Sequence, residues 1–252
     1  MGTNILPTHI YVHFITIALL GLVGMTYQTH FDVTNGCPTS CRCYVDNMRL
    51  KTLSARCQGP GLARDLFNLP QRVTSLDYIV TSSDELDVTF SHLTLLRRLR
   101  LAWAHPVTRA NIHHMGTLYQ FTDPHQFTGL VRLRTLHINV PVTFIHPHVL
   151  LPMTQLETLD LSLTSGLTTD DFCRLYRGSD LRGKPLKKLL LRRMSGLTGQ
   201  YGDFQLRQLY PLIKNRLRYL DISDNGVVVS YPGYVKYLPH LHTFIAQKNN
   251  YR

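Results

Sequence analysis

One nine-residue pattern governs what this chain can fold into. In LRYLDISDN, residues 217–225, Leu217, Leu220 and Ile222 are apolar, Arg218, Tyr219, Asp221 and Ser223 are not, and Asn225 closes the stretch. Degraded copies begin at Thr52 (TLSARCQGP), Val73 (VTSLDYIVT), Leu96 (LRRLRLAWA), Leu133 (LRTLHINVP), Leu156 (LETLDLSLT), Leu186 (LKKLLLRRM) and Leu241 (LHTFIAQKN). Successive offsets from Thr52 are 21, 23, 37, 23, 30, 31 and 24 residues. Self-similarity at such a period marks a stack of identical supersecondary units. The apolar first, fourth and sixth positions point inward. One unit cannot cover them, but neighbours together make a continuous core. The asparagine has a task in the buried turn, where its amide bonds backbone groups that the strand has left unpaired. Asn225 and Asn249 keep it, and Thr81 and Thr164 offer a hydroxyl instead. Ala104, Pro141 and Met194 offer neither, so irregular turns are expected there.

Offsets of 20–29 residues and the form L-x-x-L-x-L-x-x-N are those of the leucine-rich repeat. The fold class expected is α/β: a solenoid with a parallel sheet on its concave side and irregular or helical segments on its convex side. The long offsets locate insertions. Residues 105–130 hold one, with Phe, Leu and Tyr to anchor it. LTTDDFCRLYR, residues 167–177, predicts a helix capped by Thr168 or Thr169, with Asp170 and Asp171 in its first turn and Cys173 buried. Residues 203–213 suggest a second.

Residues 10–23, IYVHFITIALLGLV, form an apolar run of 14, short of the about 20 needed for a membrane span. They read as a secretory signal peptide, residues 1–26, with an uncleaved anchor as the alternative. Cys37, Cys41, Cys43 and Cys57 cluster just beyond it, as an extracellular disulfide framework would. A zinc knuckle prefers paired C-x-x-C spacings, which C-x3-C-x-C does not supply.

CPTSCRC, followed by ARCQGPGLARDLFNLPQRVTSLDY, resembles the cysteine-rich N-terminal cap of extracellular leucine-rich repeat proteins, down to Leu69, Pro70, Val73 and Leu76 of its LP-x-x-V-x-x-L segment. The resemblance implies bonds Cys37–Cys43 and Cys41–Cys57, a cap over residues 37–70 and repeats over 71–252. The uneven repeats and inserted helices look most like the N-terminal portion of a Toll-like receptor ectodomain. A C-terminal cysteine cap, a membrane span and a signalling domain are missing from that match. The last repeat is incomplete at QKNNYR, which reads as a fragment, a truncated product or an isoform needing a partner. The implied function is innate-immune recognition by a secreted chain or by the ectodomain of a cell-surface or endosomal receptor, with receptor dimerisation an option. A secreted matrix-type protein that holds sulfated glycans or structural proteins is the alternative.

Catalytic motifs are not found: no G-x-S-x-G, P-loop or dinucleotide turn, and no nucleophile paired with a base. No enzyme activity, cofactor or metal is expected. His113-His114 and His146-Pro147-His148 lack a carboxylate or thiolate at ligand spacing. Binding is expected on the concave sheet, at the third, fifth and seventh positions. Arg98 and Arg100 form one basic row, Lys188 and Arg192 another. Between and beyond them lie His137, Asp160, Tyr219 and Asp221. Together with a formal net charge of +11, this points to a protein or an anionic partner: a glycan, an acidic protein or a nucleic acid. Asp160 and Asp221 argue against a uniform nucleic-acid groove.

Overall fold

The computed structural model describes residues 36–59, 61–105, 119–164, 167–178, 181, 183–194, 216–226, 228–229 and 238–251. All of them belong to one compact unit, Asp32–Arg252. The expected signal segment, the His113-His114 pair and the expected helix at 203–213 lie outside the described residues.

The described strands are, in chain order, β1 (Cys41–Asn47), β2 (Thr52–Gln58), β3 (Val73–Val80), β4 (Arg98–Trp103), β5 (Tyr119–Phe121), β6 (Thr135–Asn139), β7 (Val142–Ile145), β8 (Thr158–Asp160), β9 (Lys188–Leu190), β10 (Tyr219–Asp221), β11 (Val228–Val229), β12 (Thr243–Ile245) and β13 (Asn250–Tyr251). Nine form one sheet, ordered β1-β2-β3-β4-β6-β8-β9-β10-β12. The hairpin β1–β2 is antiparallel, and every later pairing in this sheet is parallel. Each copy of the nine-residue pattern supplies one of its parallel strands. Two small parallel pairs, β5–β7 and β11–β13, stand apart from it. Among the described residues helices are few: α1 (Leu62–Leu66), α2 (Thr169–Gly178) and a 3-10 turn at Ser83–Leu86. The described chain is therefore predominantly β. Among the described residues most return segments are irregular turns, within the irregular or helical convex side that was expected.

The apolar pattern explains the core. First, fourth and sixth positions are fully covered in Leu96, Leu99 and Leu101, in Leu133, Leu136 and Ile138, in Leu156, Leu159 and Leu161, and in Leu186, Leu189 and Leu191, all 0% exposed. Burying one such side chain contributes about 1.5–3 kcal/mol. The space behind β3–β6 is filled by rings: Tyr78 on Phe90, Phe90 on Phe127, and Phe127 on Phe121, with centroids 5.6–5.7 Å apart. Phe172, Leu175 and Tyr176 of α2 are buried in the same core, the helix packing near β7. Thr168 caps that helix: its Oγ accepts from Asp171 N–H, while its own N–H donates to Asp171 Oδ2 at 3.0 Å. Cys173 is half-buried there, less covered than a core thiol. Return segments pack closely; a Cβ on Gly129, at φ +92°, would meet the Ser91 carbonyl oxygen.

The cap holds the disulfides Cys37–Cys43 and Cys41–Cys57, the pairs that the resemblance implies. Cys43 and Cys57 are buried, and Ser40 N–H is held by Asp65 Oδ2 of α1 at 2.9 Å.

The turns after the strands follow a rule that the apolar pattern does not show. Leu163, Arg193, Asp224 and Lys248, at the eighth position of four successive copies, all have left-handed backbone, φ 54–72°. That conformation reverses the chain at once. It also aims the eighth-position N–H at the next copy, so that Leu163 bonds Arg192 O, Arg193 bonds Ser223 O and Asp224 bonds Gln247 O. The ninth position completes the turn. Asn225 Nδ2 donates to Leu191 O and Ile222 O, and its Oδ1 accepts from Met194 N–H at 2.7 Å. Asn249 Nδ2 bonds Ile222 O and Ala246 O. Thr164 Oγ1 bonds Leu161 O at 2.6 Å, the acceptor equivalent to Ile222 O. Thr81 does not play this part. Its hydroxyl and N–H turn outward to Glu85.

Candidate functional site

Side chains alternate across a strand, and parallel neighbours lie about 4.8 Å apart, so like positions of successive copies line up in rows on the open face. The fifth-position row runs Arg56, Asp77, Arg100, His137, Asp160, Leu190, Asp221, Ile245. The third-position row runs Ser54, Ser75, Arg98, Thr135, Thr158, Lys188, Tyr219, Thr243. Of the residues singled out in the sequence, Arg100, His137, Asp160 and Asp221 fall in the first row, and Arg98, Lys188 and Tyr219 in the second. Arg192, at a seventh position, lies just past β9. The basic pairs on β4 and β9 are three strand steps apart, about 14 Å.

Charge is paired along and between these rows. Arg100 Nη1 is 4.0 Å from Asp77 Oδ2, His137 Nδ1 is 3.0 Å from Asp160 Oδ2, and Arg192 Nε is 3.7 Å from Asp221 Oδ2. Lys188 Nζ sits 4.4 Å above the Tyr219 ring, a cation–π contact that positions the ammonium. Arg98 is exposed and makes no ion pair among the described residues.

Two sequence expectations need correction. Asp160 and Asp221 are each only 4% exposed, so they are not displayed for contact. The cause is local. In D-x-S, each carboxylate folds back onto the N–H two residues on: Asp160 Oδ1 accepts from Ser162 at 2.9 Å, Asp221 Oδ1 from Ser223 at 3.0 Å. Burial pushes the Asp160 carboxyl up, but hydrogen bonds from His137, the Ser162 hydroxyl and the Ser162 N–H outweigh it and hold the group below the usual carboxylate range. The Tyr219 phenol is pushed up by its burial and by the Asp221 charge, with Arg192 opposing. Ile79, Ala102 and Leu190, at outward positions, are likewise covered, each 7% exposed.

Sequence reasoning passed over Arg56, which extends the fifth-position row into the cap. Carrying the outward positions back to the weakest copy, TLSARCQGP, would have found it. His146 and His148 meet edge to face at 5.4 Å and share a turn hydrogen bond. Among the described residues no group of three or more His, Cys, Asp or Glu could hold a metal ion, and no helix is long and apolar enough to cross a membrane. No family model matches this chain, and no curated protein matches it.

Proposed function

We propose that this chain is an extracellular recognition module, a leucine-rich repeat stack of the kind found in the N-terminal part of a Toll-like receptor ectodomain, and that it binds an anionic partner on the open face of its sheet. The observation that carries the binding reading is the fate of the carboxylates. Asp77, Asp160 and Asp221 are each engaged by a basic or imidazole neighbour, and two of them are buried. What the face offers a partner is then Arg98, Lys188 and the unused donors of Arg100 and Arg192. Planar guanidiniums grip sulfate, phosphate or carboxylate with two donors, and the Lys188 ammonium adds a point charge. Two disulfides fit an oxidising compartment. The innate-immune assignment rests on the sequence resemblance.

Binding to immobilised heparin, and to a single-stranded oligonucleotide, at two salt concentrations tests this. Arg98→Ala and Lys188→Ala should each weaken binding several-fold and flatten its salt dependence, because each removes one released counterion. Arg177→Ala, on the exposed side of α2, should change little. Salt-independent binding, or a response to Arg177→Ala alone, would place the anion elsewhere.

A further inference from the structure

At the start of the sheet, the β1–β2 hairpin leaves a cavity of about 400 Å³ against β3 and β4. That volume is within the range of small-ligand sites, roughly 300–1,000 Å³. Ser54, Ser75 and Arg98 line it as successive members of one row, in register across β2, β3 and β4. Thr52 and Asp46 come from the hairpin, and Arg97 from the residue before β4. Neither Arg97 nor Arg98 pairs with a carboxylate among the described residues, and the hydroxyls of Thr52, Ser54 and Ser75 have no hydrogen-bond partner there. Asp46 is met only distantly, by Thr74 Oγ1 at 3.5 Å.

This donor and acceptor set is specific in its chemistry. Two arginines lining one cavity suit one carboxylate or sulfate. Serine and threonine hydroxyls exchange hydrogen bonds with other hydroxyls, and the Asp46 carboxylate accepts from them. Leu50 supplies an apolar wall for a ring's C–H face. A nucleotide fits less well: no aromatic residue lines the cavity for a base to stack on, and Asp46 repels dense phosphate. We propose that the cavity binds an acidic sugar, a carboxylated or O-sulfated pyranose, with Arg97 and Arg98 on the anionic group and Asp46, Ser54 and Ser75 on ring hydroxyls. The site shares Ser54, Ser75 and Arg98 with the open face but stands without that reading, since Arg97 and Asp46 lie outside the outward rows.

The test is titration of the whole protein with a sulfated heparin disaccharide, followed by calorimetry and by amide chemical shifts. Saturable binding is expected, with shifts at Ser54 and Ser75. Arg97→Ala should weaken it tenfold or more, and Asp46→Asn and Ser54→Val at least threefold. Arg132→Ala, an equal loss of charge on an exposed turn, should leave it unchanged. Inorganic sulfate should bind at least tenfold more weakly than the disaccharide. Absence of binding, equal affinity for sulfate alone, or indifference to Arg97→Ala overturns the proposal. Polymeric heparin separates it from the open-face reading. Polymer binding lost in Lys188→Ala, with disaccharide binding untouched by Arg97→Ala, keeps the face and removes the cavity; the reverse pattern keeps the cavity and removes the face.

Discussion

The two halves of the sheet bury the same apolar positions but end their strands differently. In β3, β4 and β6 the strands run for eight, six and five residues; in β8, β9, β10 and β12 each runs for three. The later copies carry D-x-S at their fifth to seventh positions or stack directly against one that does. The aspartate takes the seventh-position N–H, the eighth residue goes left-handed with its N–H bonded to the next copy, and the asparagines at the ninth position tie the turn to the preceding copy. The earlier copies have no such set. Their turns are held by Glu85 at Thr81, by a backbone bond from Ala104 N–H to Val80 O, and by Pro141 O accepting from Tyr119. Side-chain amides thus stabilise the later turns, and aromatic packing stabilises the region behind the earlier ones.

The largest way to break this contrast is Asn225→Ala. It orphans Met194 N–H and Leu191 O in a buried turn, while Ile222 O keeps its bond from Asn249 Nδ2. Unsatisfied buried groups cost about 1–3 kcal/mol each, so a loss of roughly 2 kcal/mol or more is expected in urea unfolding. Thr81→Ala, at an exposed turn of the first half, should cost less than about 1 kcal/mol. Similar losses at both sites would erase the distinction.

Next comes the cap. Replacing Cys41 and Cys57 by alanine opens a closure spanning 16 residues, worth about 3 kcal/mol. Hydrogen exchange should then accelerate in β1 and β2, while β8–β10 keep their protection. Uniform acceleration would mean that the cap and the later copies unfold as one.

A smaller effect has the opposite sign. Leu163 holds a left-handed backbone, φ 72°, that a γ-branched residue adopts at a cost of about 1–2 kcal/mol. Leu163→Asn should stabilise the protein by up to about 1 kcal/mol, read as a raised melting temperature. Destabilisation would show that the half-buried leucine packs more than its backbone costs.

The smallest effects depend on pH and sharpen the same comparison. In the first half, burial disfavours the charged form of His92 more than its bond to Leu66 O favours it, which puts the folded pKa below the ordinary value of about 6.5. Its contribution is full above that value and is lost as pH falls through the folded one. His92→Gln should remove this loss. In the second half, the Asp160 carboxyl is also depressed, so its contribution is full above about pH 3.9 and is lost only at lower pH. Asp160→Asn should alter the stability profile in that acidic range. Coincident onset of the two differences would contradict the assignments.

Residue by residue, legibility followed interaction range. The first, fourth and sixth positions were readable because burial selects apolar side chains at fixed spacing, and Asn225 was readable because a buried amide needs backbone partners. The outward rows were readable as positions but not as a surface. Asp160 looks like any outward carboxylate in LETLDLSLT; its turn back onto Ser162 N–H and its bond to His137, from a different copy, depend on conformation and register. The cavity under the hairpin was invisible, since Asp46, Ser54, Ser75 and Arg97 belong to four separate segments.

By itself, the sequence determined a core that one repeat cannot close, a strand in each copy, and a cysteine cluster at the N-terminal edge. These follow from the periodicity and composition of single segments. The tertiary structure alone decided which charges pair across copies, where the eighth-position N–H groups find their acceptors and where, among the described residues, two arginines are left without a carboxylate partner. Those outcomes depend on neighbours 20 or more residues away in the chain, brought within hydrogen-bonding distance only when the copies stack in register.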